Sequence, residues 1–184
     1  MHENVGIDAV SEAVILQIEN SFPDERSGTI SFGDFAGAFY PQKLPDAVAS
    51  LDSWRDVSLE TLELSNERDI GGLFALMGPD LWRRYLPAWM TMVLRHGTEA
   101  GDVMSSLFVT LDPEASAGMY PDDRFSPRTR DLTPAQTEAI RDFAAVVASR
   151  PEFAEAAGYD VGERLLGYWQ GRARTYPSPA KVGA

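Results

Sequence analysis

The segment Gly78–Gly97 (GPDLWRRYLPAWMTMVLRHG) constrains the fold more than any other stretch of the chain. It holds two of the four tryptophans, four leucines or valines and two methionines, with only four charged residues. Aromatic and aliphatic residues at helical spacing usually belong to a core. The segment therefore predicts a buried central helix. The alternative interpretation is a bent helix that shapes a groove or a partner surface.

The ends of this helix and an interruption inside it can also be predicted. Pro79 occupies the first helical position, where a missing N–H costs nothing, and Gly97 is a natural C-terminal cap. Pro87 cannot donate a hydrogen bond to the carbonyl of Arg83, and its ring biases Leu86 away from helical angles. We expect a kink or a break there, with Pro87 starting a second helix.

Four more helices are indicated by apolar repeats and capping residues. Asp8 caps a first helix that runs to about Ser21. Thr98 caps a helix after the central one, and the capping box Thr133–Gln136, with proline at the first helical position, starts another. A last helix begins near Asp160. The predicted inner face of the first helix contains Val10, Val14, Ile18 and Phe22, widened by Ile15 and Leu16.

The intervening segments 24–45 and 112–131 are rich in proline and glycine and are interpreted as loops. In the first, Ile30 and Phe32 alternate with polar residues and could form a short strand. The aromatic series Phe32, Phe35, Phe39 and Tyr40 is expected to hold this loop on the core. The fold class is therefore mainly α: one compact domain over residues 1–184, with about six or seven helices, at most a minor strand pair, and a frayed tail at 175–184.

Charge is concentrated in the first part of the chain, whose net total is −12. Up to Gly78 there are 14 acidic and 4 basic residues, a net charge of −10. This balance argues against binding to nucleic acid or anionic lipid, which require basic surface. It is compatible with electrostatic docking of a basic protein, for example a toxin. The alternative interpretation is that the acidity only keeps the protein soluble.

Targeting and redox features bound the setting of the protein. The start lacks the basic leading segment of a signal peptide, and no apolar run approaches the length of a membrane span. We expect a cytoplasmic protein. Cysteine is absent, which excludes a disulfide framework and a thiolate metal site.

A candidate docking face follows the tryptophan at position 54. Asp56, Glu60, Glu63 and Glu67 are spaced by four, three and four residues, so a continuous helix would place them in one acidic stripe. The competing interpretation is an ordinary solvated helix face. Exposed aromatic residues, with Trp54 and Phe39 as candidates, would act as anchors at the contact.

Motifs of known chemistry are missing. The two histidines, His2 and His96, have no HExxH-like spacing, and there is no G-x-S-x-G elbow or phosphate-binding glycine loop. We therefore predict no catalytic residue, no metal ligand and no cofactor. The alternative is an enzyme with an unrecognised site that combines His96 with Tyr120, Asp122, Asp123 and Arg124, where Arg124, Arg128 and Arg130 could hold an anion. Mutual pairing of these charges is the simpler expectation.

Three motifs resemble those of a family of small acidic bacterial proteins of unknown function. Its members carry a W-x-[DE]-[VIL] step, an apolar segment and an aromatic [FW]-x-x-Y-L-P-A stretch. The matching residues are Trp54, Asp56 and Val57, then Leu73 to Met77, then Trp82, Tyr85, Leu86, Pro87 and Ala88. The resemblance spans roughly Phe22 to Ala148. It implies a compact helical fold and no established activity, and small acidic proteins of this kind are often immunity or accessory proteins.

These observations lead to one functional expectation with two alternatives. The expectation is a non-enzymatic protein-binding module, most concretely an immunity-type inhibitor or accessory protein that docks a basic bacterial partner through its acidic face. The alternatives are the enzyme described above and a regulatory subunit that holds a peptide in an apolar groove beside Pro87.

Overall fold

The computed structural model describes residues 7–24, 31–39, 46–63 and 71–175 and confirms a mainly α protein. These residues form no strand. They form 11 α-helices and three 3₁₀ turns, more than predicted because segments interpreted as loops contain short helices. The helices are α1 (Ala9–Ser21), α2 (Phe32–Phe39), α3 (Asp46–Ala49), α4 (Leu59–Glu63), α5 (Pro79–His96), α6 (Gly101–Leu111), α7 (Pro113–Met119), α8 (Phe125–Thr129), α9 (Pro134–Ala148), α10 (Pro151–Ala157) and α11 (Val161–Thr175). The 3₁₀ turns are Trp54–Asp56, Gly71–Leu76 and Gly97–Ala100.

Helix α5 is the buried centre of the molecule, as its sequence predicts. Trp82, Tyr85 and Trp89 are each 0% exposed. Pro79 is the first helical residue, and Gly97 ends the helix with a φ of 57°, an angle that favours glycine. The surrounding helices α1, α6 and α8 pack against it.

The prediction of a second helix starting at Pro87 is wrong, because α5 continues through the proline as one helix of 18 residues. Leu86, Pro87 and Ala88 are all buried, and so are the residues that follow to Leu94. Packing on both sides of Pro87 therefore outweighs the single backbone hydrogen bond that proline removes.

Helix α1 begins where predicted. The Asp8 carboxylate accepts hydrogen bonds from the backbone N–H groups of Val10 and Ser11, at 3.0 and 2.9 Å. Val14 and Ile18 are buried as expected, but Val10 is 64% and Leu16 59% exposed. Their assignment to the inner face is wrong, since that face turns out narrower than the predicted stripe.

Helix α2 replaces the predicted loop and strand. Phe32 starts this helix and is fully buried, with its ring edge-on to Tyr85 at 5.3 Å, while Ile30 lies outside the described residues. A Cβ on Gly33 would meet the carbonyl oxygen of Ala49 at 2.4 Å, so the close approach of α2 and α3 requires glycine. The aromatic attachment was predicted correctly for Phe32, but it fastens a helix.

Tyr85 joins this corner to the centre. Its hydroxyl donates a 2.8 Å hydrogen bond to the carbonyl oxygen of Leu51, which also accepts from the N–H of Phe32 at 3.3 Å. Burial raises the pKa of the Tyr85 hydroxyl to about 12. The hydroxyl therefore stays protonated, as its role as a donor requires.

The segment after α6 is also more helical than predicted. Asp112 ends α6 and caps α7, accepting from the N–H groups of Glu114 at 2.9 Å and Ala115 at 3.2 Å. Its carboxylate also accepts from Arg164 of α11 at 2.9 Å. Thr98 does not cap α6, because the 3₁₀ turn Gly97–Ala100 intervenes and α6 starts at Gly101.

Helices α9 and α11 form the largest helix pair. The capping box at Thr133 is present with both of its reciprocal hydrogen bonds, as predicted. Gly162 allows the contact, since a Cβ there would lie 2.5 Å from the Cα of Ala148. Leu165 and Trp169 of α11 are fully buried. Helix α10 contains the buried Phe153, and residues 176–184 of the predicted tail lie outside the described part of the chain.

Candidate functional site

Most of the acidic excess of the described structure lies in its first part. The described residues up to Glu63 include ten acidic residues and one basic residue, Arg55, a net charge of −9. Residues 71–175 include 14 acidic residues and 11 arginines, a net charge of −3. The surface of these first residues, which include α1 to α4, is called the acidic side below.

The predicted continuous acidic stripe is wrong at its beginning. Asp56 ends the 3₁₀ turn, Val57 is extended, and α4 starts only at Leu59. Asp56 and Glu60 are both exposed, but they belong to separate elements. The side chain of Glu63 and all of Glu67 lie outside the described part of the structure.

Trp54 is not an exposed anchor, so that prediction is wrong. Its side chain is 4% exposed and belongs to the hydrophobic core. The guanidinium of Arg55 lies 4.2 Å from the centroid of the Trp54 ring and covers it. Phe39 ends α2, and its side chain lies outside the described part of the structure.

Exposed apolar anchors are present instead on the side of α1 that faces solvent. We define the outer face of α1 as Ala9, Val10, Ala13, Leu16 and Asn20, all exposed and none charged. Ala9, Ala13, Leu16 and Asn20 lie opposite the buried stripe of Ser11, Val14, Ile15 and Ile18, and Val10 lies at the edge of that stripe, beside Val14. A solvated helix face ordinarily carries charged residues. This face therefore has the composition of a contact surface.

Acidic groups border this outer face along one flank. Glu12 is exposed one turn before Leu16, and Glu19 follows it by three residues. The guanidinium of Arg55 donates to the carbonyl oxygen of Glu19 at 3.3 Å. This contact places the turn that contains Asp56 next to the end of α1. The apolar and acidic features thus form one surface.

Sequence reasoning missed this face because it placed Val10 and Leu16 in the core. A signal was present: positions 9, 10, 13, 16, 17 and 20 contain no charged residue, although 24% of the chain is charged. A helix that carries no charge on the side opposite its core stripe departs from the usual amphipathic pattern.

The residues of the alternative catalytic site do not form a catalytic arrangement. The Tyr120 hydroxyl donates to the carbonyl oxygen of Ala75 at 2.9 Å, and its ring stacks with Arg124 at 4.5 Å. Arg124 pairs with Asp122 at 3.4 Å, and Asp123 accepts from the N–H of Ser126. His96 is exposed at the end of α5. Of the expected mutual charge pairs, the one between Arg124 and Asp122 is present.

Arg128 is the most unusual of these charges, with 1% of its surface exposed. Its guanidinium donates hydrogen bonds of 2.7 Å to the carbonyl oxygens of Ala75 and Met77. Burial lowers its pKa from the ordinary value. Arg128 and Tyr120 together fasten the end of the 3₁₀ turn Gly71–Leu76 to α7 and α8.

Two surface hollows are present away from the acidic side. One, of about 490 Å³, is largely apolar and lies between the 3₁₀ turn Gly71–Leu76, α6 and the end of α7. Leu76 and Met119 border it and are 41% and 57% exposed. The other, of about 530 Å³, lies between α8 and α11 and is lined by Arg130 and Arg172. Neither contains Pro87, beside which a peptide groove was expected.

Within the described ranges, no group of three or more histidine, aspartate or glutamate side chains comes together as a metal site would require. None of the described helices has both the length and the apolar character needed to cross a bilayer.

The fold and the surface define the class: an all-helical domain over its described residues, with an acidic side and an uncharged outer helix face. Residues 12–173 match the family described as a family of unknown function (DUF6714), and the chain belongs to that family. The resemblance stated from the motifs is thereby confirmed at the level of a family of unknown function. No curated protein and no solved structure matches the chain.

Proposed function

We propose that this protein is a non-enzymatic binding module that docks a basic protein partner through the side formed by α1 to α4. Its most concrete form is a cytoplasmic immunity-type inhibitor or accessory protein whose partner is a basic bacterial toxin. The observation that carries the proposal is the net charge of −9 on the described residues up to Glu63, against −3 on residues 71–175.

The distribution of charge partners supports this function. In residues 71–175 acids and arginines meet, as in the pairs Arg124–Asp122, Arg141–Asp142 and Arg164–Asp112. The described residues up to Glu63 include only one basic side chain, Arg55, for ten acids, of which Asp8 pairs with Arg150. Unbalanced surface charge destabilises a folded protein by self-repulsion, and a basic partner would relieve that repulsion.

The test is affinity capture with the tagged protein from its native lysate, washed at low and at high salt, followed by mass spectrometry. We expect a basic protein that is retained at low salt and released at high salt, because exposed charge pairs are screened. Capture of no protein at low salt would contradict the proposal.

A pair of charge variants makes this test specific. The double variant Asp56→Lys/Glu60→Lys should weaken binding of the captured partner and flatten its salt dependence. Glu152→Lys/Glu155→Lys on α10 changes the net charge equally at exposed positions of the near-neutral part. Equal weakening by both doubles would mean that net charge alone attracts the partner and that no docking side exists.

A regulatory subunit that binds an apolar peptide is the second candidate. It is favoured by the apolar hollow of about 490 Å³ bordered by Leu76 and Met119. In that case Met119→Asp should abolish capture of the partner, and Asp56→Lys/Glu60→Lys should leave capture unchanged. The two candidates therefore predict opposite results for the same variants.

A further inference from the structure

We propose that the outer face of α1 is a docking site for an amphipathic helix that carries an apolar stripe and a flank of lysine or arginine. This inference rests on the proposed function and names the chemistry of the partner at its contact. It is drawn from the exposure of the outer face, the shape of α1 and the position of the acids beside it.

The exposed apolar side chains give the face its contact points. Val10 and Leu16 are 64% and 59% exposed, the two largest exposures among the large apolar residues of the described structure. Ala9 and Ala13 lie between them around the helix, and small residues allow another helix to approach closely. The leucine and the valine form a ridge and the two alanines a shallow groove, and helices pack by fitting ridges into grooves.

The dimensions of the face fit one helix of similar length. Helix α1 has 13 residues and extends about 20 Å at the usual rise per residue. It is regular and capped at its start by Asp8, which also pairs with Arg150 of the segment before α10. The face is therefore preformed, so that binding would order only the partner.

Charge decides which occupant fits the face. Glu12 and Glu19 border it on one flank, and Asp56 lies beyond the end of α1. A second copy of the chain, laid antiparallel across the face, would bring the same acidic flanks together and be repelled. Anionic lipid would be repelled in the same way. A helix with a basic flank is attracted, and its apolar stripe covers Val10 and Leu16.

The probe for the test is a fluorescein-labelled synthetic 14-residue peptide with leucines along one helical stripe and lysines beside it. Fluorescence anisotropy measures its binding to the full chain. Two control peptides separate the contributions: one replaces every lysine by glutamate, and the other replaces every leucine by serine at the same charge. We expect binding of the leucine–lysine peptide alone, weakened by salt.

The decisive variant is Leu16→Asp, because its charge and its loss of apolar contact have opposite effects on binding of a basic peptide. The added carboxylate strengthens the general attraction for a basic peptide while it removes the apolar contact. We expect affinity to fall by about ten-fold or more, as for an anchor residue at a contact. The matched control is Met119→Asp, an equally exposed apolar residue outside α1, which should bind the peptide as tightly as the wild type or slightly more tightly.

Each other outcome overturns the inference in a distinguishable way. Binding unaffected by Leu16→Asp but weakened by Asp56→Lys/Glu60→Lys would remove the docking site on α1 and keep the proposed function. Peptide binding that none of these variants affects would contradict both the docking site on α1 and the proposed function. Self-association that Leu16→Asp abolishes would make a second copy the occupant, and binding of the wild type to neutral phosphatidylcholine vesicles would make it a membrane surface.

Discussion

Helices α5 and α1 are both rich in apolar residues, yet α5 is buried over most of its length and α1 only along one stripe. Nine consecutive residues of α5, Leu86 to Leu94, are buried. In α1 four of 13 residues are buried. The difference is the number of neighbours, since α5 packs against α1, α6 and α8, whereas α1 packs mainly against α9 and α5. Among the described residues, the centre of α5 is fully enclosed, whereas Val10 and Leu16 of α1 stay exposed.

The largest expected effect separates these helices directly. Trp89→Ala in α5 should lower the free energy of unfolding by about 3–5 kcal/mol, because it leaves a cavity where the ring stacks on Phe74 at 4.8 Å. Leu16→Ala in α1 should change it by less than about 0.5 kcal/mol. Urea denaturation of both variants measures the contrast. A loss above 2 kcal/mol for Leu16→Ala, roughly the value of a buried leucine, would mean that the outer face is covered.

An intermediate effect is expected where two helices touch through a glycine. Gly162→Ala in α11 should lower the free energy of unfolding by about 1–3 kcal/mol, because the new Cβ would overlap the backbone of Ala148 in α9. Gly167→Ala, in the same helix with no atom within 4 Å of its Cβ position, should raise it by about 0.5–1 kcal/mol. Differential scanning calorimetry should show that the two substitutions shift the melting temperature in opposite directions. Equal shifts would argue against close contact between α9 and α11.

A smaller loss than at Trp89 or Gly162 is expected at the cap of α1. Asp8→Ala should lower the free energy of unfolding by about 1 kcal/mol, because the backbone N–H groups of Val10 and Ser11 would lose their hydrogen-bond acceptor. The backbone hydrogen bond from Ser11 contributes most to lowering the pKa of Asp8 below its usual value of 3.8, opposed by desolvation and helped by the Ser11 hydroxyl and Arg150. A lowered pKa in the folded state means that the stabilisation is complete above pH 3.8 and is lost as the pH falls through the folded-state pKa.

Asp8→Asn is the control for this pH dependence. Asparagine caps helices as well as aspartate does but does not titrate, so most of the stability at neutral pH should remain. The difference in free energy of unfolding between wild type and Asp8→Asn should shrink as the pH is lowered toward 3, roughly one unit below the ordinary aspartate pKa. A difference that stays constant with pH would show that the charge of the Asp8 carboxylate contributes nothing to the free energy of unfolding.

Local signals predicted the helix ends well. Asp8, Pro79, Gly97 and the capping box at Thr133 each act within one turn of backbone, so the residues that decide the structure are adjacent in sequence. The burial of α5 was also predicted, because its apolar residues are matched by neighbouring helices. The mainly α class follows from these elements.

Features that depend on distant contacts were missed. Helix α2 relies on Gly33 meeting Ala49, and Trp54 is covered by the core and by Arg55. Pro87 stays helical because its neighbours along α5 are buried. Local rules for proline do not take such burial into account. The outer face of α1 was misplaced for the same reason, since periodicity shows that Val10 and Leu16 lie on a helix but cannot show which neighbours reach them.

The burial of all four tryptophans gives the molecule a built-in optical reporter. Trp54 is 4% exposed, and Trp82, Trp89 and Trp169 are 0% exposed. Indole emission moves to longer wavelength when water reaches the ring, so intrinsic fluorescence of this protein records loss of the core. A helix that settles on Val10 and Leu16 touches none of these rings. Unfolding should therefore change the emission colour, while docking on α1 leaves it unaltered and has to be followed by a label on the partner.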